Sequence, residues 1–81
     1  MNQDNVYDTL TEILRDVFDN DTVVATPELS ARDVPEWDSF NHINVVAAAE
    51  MRFGVKFRTS EIETLRNIGD FVALIARKMA A

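Results

Sequence analysis

The chain has no cysteine, two glycines, two prolines and one tryptophan in 81 residues. Without cysteine there can be no disulfide, no thiolate metal site and no thiol nucleophile, so stability must come from packing, and a reducing cytosol suits the chain. Long apolar runs are also missing. No stretch approaches the roughly 20 apolar residues of a membrane-spanning helix, and the polar, acidic start, residues 1–8, lacks the basic region and apolar run of a signal peptide. A soluble, unprocessed, cytoplasmic protein is expected. Positive charge is scarce: eight Lys and Arg stand against fourteen Asp and Glu, a net charge of -6. Binding a phosphate backbone requires a positive face that releases counterions, so nucleic acid is excluded as a partner and basic proteins fit better. The imbalance is local, since residues 1–39 hold ten acids and two arginines while residues 40–81 hold four acids and six bases.

At this length there is room for one domain, residues 1–81, with a modest core and no pocket that encloses a whole substrate. Hydrophobic residues at 47% and charged residues at 27% are the balance of a folded globular domain rather than a disordered chain, and a monomer is expected. Val6, Leu10, Ile13, Leu14, Val17 and Phe18 recur at steps of three and four, which predicts a helix over 4–18, capped by Asp4 or Asn5. Residues 19–37 hold no period, and Pro27 and Pro35 each disfavour helix in the residue before them. A loop this long calls for an explanation, and Val23, Val24, Leu29, Val34 and Trp37 are spaced along it as if to pin it to a core. Asp38 is a good N-cap for a helix over 39–53, with Phe40, Ile43, Val46, Ala47 and Phe53 at helical spacing and Gly54 as its stop. Ser60 and Glu63 have capping-box spacing and introduce a short helix with Ile62 and Leu65. Asn67 can cap a last helix whose buried stripe is Ile68, Phe71, Val72, Ile75 and Met79, with Asp70 at its positive end and Arg77 and Lys78 at its negative end. Neither strand alternation nor an internal repeat is present. The expected fold is all-α: a small four-helix bundle of three longer helices and one short one, with a long loop between the first two helices.

Ser39 stands at the first position of the second helix, where its hydroxyl faces solvent beside unpaired backbone N–H groups. A phosphodiester there would lie at the positive end of the helix dipole, a natural place for an anion. Used as an attachment point, the serine needs no base to activate it. The nearby His42 shares its helix face and invites comparison with a serine hydrolase. A working triad would also need an orienting acid, an oxyanion hole and a walled site. The expectation is a protein without catalytic activity, with no catalytic residues. Asp16, Asp19 and Asp21 suggest a calcium loop, but the glycine and the twelfth-position glutamate are missing, so no metal site is assigned.

The segment Asp38-Ser39-Phe40 resembles the Asp-Ser-Leu that opens the second of four helices in the acyl and peptidyl carrier proteins of fatty-acid, polyketide and nonribosomal peptide synthesis. Resemblance extends over nearly the whole chain, through Val34-Pro35-Glu36-Trp37, Glu50-Met51-Arg52-Phe53-Gly54-Val55 and Ile68-Gly69-Asp70-Phe71. It implies that a phosphopantetheinyl transferase moves 4'-phosphopantetheine from coenzyme A onto Ser39, with Asp38 as N-cap and also as an aid to positioning the transferase. It implies further that an acyl- or aminoacyl-loading ligase and downstream enzymes act on the thioester carried by the arm. Phe40 replaces the usual Leu. The second departure is charge: the family's second helix is often acidic, whereas here 39–53 holds only Glu50 and Arg52, with Phe40, Asn41, His42 and Asn44 on the expected partner-facing early turns. That pattern suggests a specialised carrier. Trp37 is expected to anchor the loop, its N–H finding an acceptor. The small Ala47, Ala48 and Ala49 are good helix formers and are expected to leave room for a short acyl chain. The alternative is an unmodified acidic helical adaptor that uses the same fold to dock basic proteins.

Overall fold

The computed structural model describes residues 3–80. Helix α1 runs over Gln3–Phe18, α2 over Ser39–Phe53, α3 over Thr59–Glu63 and α4 over Ile68–Ala80, with a 3-10 turn at Ala31–Asp33 inside the long loop. No strand occurs among the described residues, and the bundle has the helix count and lengths expected of it. In α1 the stripe Val6, Leu10, Ile13, Leu14 and Phe18 is buried, because residues three and four apart share a helix face. The helix already includes Gln3, so it starts earlier than the expected capping positions 4 and 5. At its other end Asp19 takes a left-handed backbone (φ 50), and the Asn20 N–H returns to the Arg15 carbonyl at 3.1 Å. That bond satisfies an orphan carbonyl of the last turn.

Helix α1 packs on α2 and α4. The largest side chains of the common core, Leu10, Leu14, Ile68, Ile75, Val45 and Val72, are fully enclosed. The face of α2 that supplies it agrees with the expected one at Val46 and Phe53 and departs from it elsewhere. Val45, Val46 and Ala49 are buried and Phe53 is half-buried, while Phe40, Ile43 and Ala47 are turned to solvent. Apolar residues surround most of this helix, so spacing alone offers two stripes, and packing against α1 selects the one centred on Val45. In α4 Leu74 joins the buried set, whereas Met79, expected inside, is 37% exposed in the last turn.

The long loop is held by groups distant in sequence. Thr11 Oγ1 accepts from the Ala25 N–H at 3.0 Å, and Arg15 Nε donates to the Val23 carbonyl at 2.8 Å. Successive residues of an extended segment point to opposite sides. Val23 and Ala25 are therefore buried, and Val24, expected as a pin, is 51% exposed. Val34 is buried, and Leu29 and Trp37 pack against the core as expected. The first turn of α4 completes the attachment: the Ile68 N–H donates to the Leu29 carbonyl at 2.8 Å and the Gly69 N–H to the Pro27 carbonyl at 3.0 Å. Asn67 caps this helix, its Oδ1 accepting from the Asp70 N–H at 2.9 Å. The cap of α3 lies elsewhere than on Ser60 and Glu63. Glu61 Oε1 accepts from the Arg58 N–H at 2.8 Å, two residues earlier than the expected box, and it also receives Lys78 Nζ of α4 at 2.9 Å.

Candidate functional site

Asp38 sits before α2 in an extended conformation, and its Oδ1 accepts from the Asn41 N–H at 2.8 Å. The Asp38 carbonyl accepts the His42 N–H at 2.9 Å and starts the helical ladder. This makes Asp38 the N-cap and Ser39 the first helical residue. Ser39 is exposed, and its N–H and that of Phe40 belong to the first turn, where no intrahelical acceptor exists. An exposed hydroxyl beside two such donors suits esterification by a phosphate group, whose negative charge would meet the positive helix end.

The chain leading into the site is fixed by Trp37. Its ring packs on Phe18 with centroids 5.5 Å apart, and its Nε1 donates to His42 Nδ1 at 3.1 Å. The tryptophan thus anchors the loop as expected, and its acceptor is the histidine. The expected partner-facing set reaches the surface only in part. Phe40 and Asn44 are exposed. Asn41 is half-buried, and its Nδ2 donates to the Glu36 carbonyl at 2.8 Å. His42, expected to face solvent or a partner, is half-buried, with its Nδ1 lone pair accepting from the indole. Burial lowers its pKa from the ordinary imidazole value, which favours the neutral ring that this hydrogen bond requires. No hydrogen bond joins His42 to Ser39 among the described residues, so the two do not form a nucleophile and base pair.

Two cavities flank His42. One of about 70 Å³ is bordered by Trp37, Leu65, Ile68 and Phe71, and one of about 150 Å³ lies between α2 and α3 against Ile43, Val46, Ala47, Glu50 and Ile62. The three alanines expected to leave room together diverge. Ala47 borders the α2–α3 cavity, Ala48 faces the α1–α2 groove and Ala49 is enclosed in the core. Asp16, Asp19 and Asp21 are exposed, and no group of three or more His, Cys, Asp or Glu that could hold a metal ion occurs among the described residues.

Of the exposed apolar row on α2, Phe40 was expected to face partners, whereas sequence reasoning missed Ile43, Ala47 and Met51. The available signal was the second apolar period of a helix that needs only one to reach the core.

No model of a protein family matches the chain. Individual relatives do. An acyl carrier protein of Acidothermus cellulolyticus is 34% identical over 76 residues, covering 94% of this chain and 90% of that one. One from Thermosynechococcus vestitus is 30% identical over 81 residues, all of both chains. Among solved structures, the holo acyl carrier protein of Geobacter metallireducens superposes with a TM-score of 0.86 at 42% identity, covering 91% of this chain and 85% of that one.

Proposed function

The chain belongs to the acyl carrier protein family, whose members carry acyl groups and are not enzymes, and from that premise we propose that Ser39 bears its cargo on a 4'-phosphopantetheine arm. The observation that carries this proposal is the exposed Ser39 hydroxyl at the first position of α2, capped by Asp38 and flanked by free backbone donors. Asp38 orders the first turn, so the hydroxyl is presented on a rigid helix end rather than on a loop. The Ser39 and Phe40 N–H groups would hold the phosphodiester oxygens, and the Trp37 anchor fixes the entry of the chain. The arm supplies a terminal thiol that holds acyl groups as thioesters, a sulfur this cysteine-free chain lacks. Tethering also keeps the cargo at high local concentration near each partner's active site.

The partners on this proposal are a phosphopantetheinyl transferase, which Asp38 helps to position, a ligase that loads acyl or aminoacyl groups, and downstream enzymes of fatty-acid, polyketide or nonribosomal peptide synthesis. Residues 1–81 act as one carrier domain in the cytosol, where coenzyme A is available. No helix among the described residues is long and apolar enough to cross a membrane. The test is intact-mass measurement after incubation with coenzyme A and a broad-specificity transferase. One phosphopantetheinyl group is expected on the wild type and none on Ser39→Ala. An unmodified wild type would leave the acidic adaptor as the better account.

A further inference from the structure

The charge of the chain is divided. Residues 1–55 hold eleven acids and three bases, whereas residues 56–81 hold three acids and five bases, so the last third is locally positive within a molecule of net charge -6. Two of those bases border one open groove of about 450 Å³, walled by Thr64, Leu65, Arg66, Asp70, Ala73 and Arg77. None of these residues belongs to α2, so the groove is separate from the helix end that presents Ser39. Asp70, Ala73 and Arg77 share the exposed face of α4, because steps of three and four residues return to one side of a helix. The small Ala73 keeps the groove open between the two ends, and half-buried Leu65 gives it an apolar wall.

The cations of this groove are free. Lys78, next to Arg77, is held by Glu61 at 2.9 Å, but neither Arg66 nor Arg77 has an ion pair or a side-chain hydrogen bond among the described residues. Asp70 does not occupy the Arg66 guanidinium. Its Oδ2 accepts from the Arg66 backbone N–H at 3.2 Å, at the positive start of α4. That bond sets Arg66 beside Asp70, and Arg77 follows about 10 Å further along the helix. The charges along the groove therefore run positive, negative, positive.

We propose that this groove docks an acidic segment of a partner protein, one that sets two carboxylates about two helical turns apart against Arg66 and Arg77 and an apolar residue over Leu65 and Ala73. The charge order selects this occupant. A continuous polyanion, whether nucleic acid or an anionic bilayer, would set charge against Asp70 and would be repelled at longer range by the net charge of -6. A second copy of this chain would bring the same net charge and, on the exposed face of its α1, the unbroken acidic row Asp8, Glu12 and Asp16. A protein segment can instead leave its middle position uncharged, and a guanidinium fork can take a carboxylate through two N–H groups. Exposed ion pairs contribute little each, so docking here is weak and weakens further with salt.

The experiment titrates the full chain, followed by amide NMR, with an alanine-based helical peptide carrying two glutamates about two turns apart and a leucine between them. Shifts confined to residues 64–77 are expected in about 0.02 M NaCl, with binding at least about threefold weaker in about 0.3 M NaCl. Arg66→Gln and Arg77→Gln should each weaken binding about threefold, and Lys56→Gln, which removes an exposed base outside the groove, should match the wild type. Because the altered side chains are exposed, the variants' spectra should overlay on the wild type away from the groove. Peptide shifts centred on α2, arginine variants that bind as the wild type does, or a glutamine version of the peptide that binds equally well would each overturn the proposal. Inorganic polyphosphate binding more tightly than the peptide at the same residues would mark a general anion site and overturn it too. A wild-type dimer abolished by Arg77→Gln in sedimentation would identify a second copy as the occupant, with the same consequence.

Discussion

Replacing Asp38 separates what its carboxylate does as a hydrogen-bond acceptor from what it does as a charge. The Asp38→Ala variant loses the 2.8 Å bond to the Asn41 N–H and leaves that donor without an intrahelical partner. Loss of an N-cap costs about 1 kcal/mol, and loss of a negative charge from a helix start about 0.5 kcal/mol more. Asp38→Asn keeps an acceptor at the same place and loses only the second contribution. Both variants change the net charge equally, so long-range repulsion cancels between them. For a domain of this size each kcal/mol moves the midpoint by about 6 °C, so Ala should melt about 9 °C and Asn about 3 °C below the wild type. Thermal and urea unfolding followed by circular dichroism measures both. Equal losses in the two variants would refute the capping role, and no loss in Ala would refute the account of the α2 start altogether. Transferase turnover then isolates the second proposed role: if Asp38 also positions the transferase, Asn should be modified more slowly than its stability alone explains.

Other predictions concern the supports of the site. Gly69→Ala should lower stability by at least about 1 kcal/mol in urea unfolding even though alanine is the better helix former, because a Cβ there would meet the Pro27 carbonyl at 3.0 Å. Asp19→Gly should raise stability by about 0.5 kcal/mol, since Asp19 holds a left-handed backbone at φ 50 that glycine adopts without strain. The folded protein binds a proton at His42 less readily than the unfolded chain does. Stability from the neutral ring is therefore complete above the ordinary imidazole pKa and is lost as pH falls through the lowered folded value. Urea midpoints read from Trp37 emission should fall between about pH 7.5 and about pH 5 in the wild type and fall less in His42→Gln, whose amide oxygen can accept from the indole without titrating.

Helix α1 was legible because it has one apolar stripe and polar residues elsewhere, so period and burial coincide; α4 was legible in Ile68, Phe71, Val72 and Ile75, while its wider apolar surface hid the burial of Leu74 and the exposure of Met79. Helix α2 was legible in extent, through Asp38 and Gly54, but not in orientation. Phe40, Ile43 and Ala47 are as regularly spaced as the residues that reach the core, and only the position of α1 decides between the two rows. The loop had a similar limit. Its apolar pins mark it as packed, yet Val24 and Ala25 exchange places because Thr11 and Arg15, a helix away, hold the flanking backbone groups. At the site, Ser39 and Asp38 were readable because a cap and a first helical residue are local chemistry. The pairing of Trp37 with His42 crosses the boundary between an irregular segment and a helix, where neither the period of 2 nor that of 3.6 says which side chains meet.

Among the described residues no polar or charged residue is fully buried, although Glu36 Oε1 is enclosed without a hydrogen-bond partner. The fully buried core is therefore apolar, and volume-conserving apolar swaps can accumulate there with little penalty. What such drift cannot replace lies on the outside of the bundle, in the carbonyls and hydroxyls that tie the loop to the helix ends. A library that randomises Leu10, Leu14, Val45 and Ile75 among aliphatic residues should yield many folded members, whereas one that randomises Thr11, Pro27 and Asn67 should yield few.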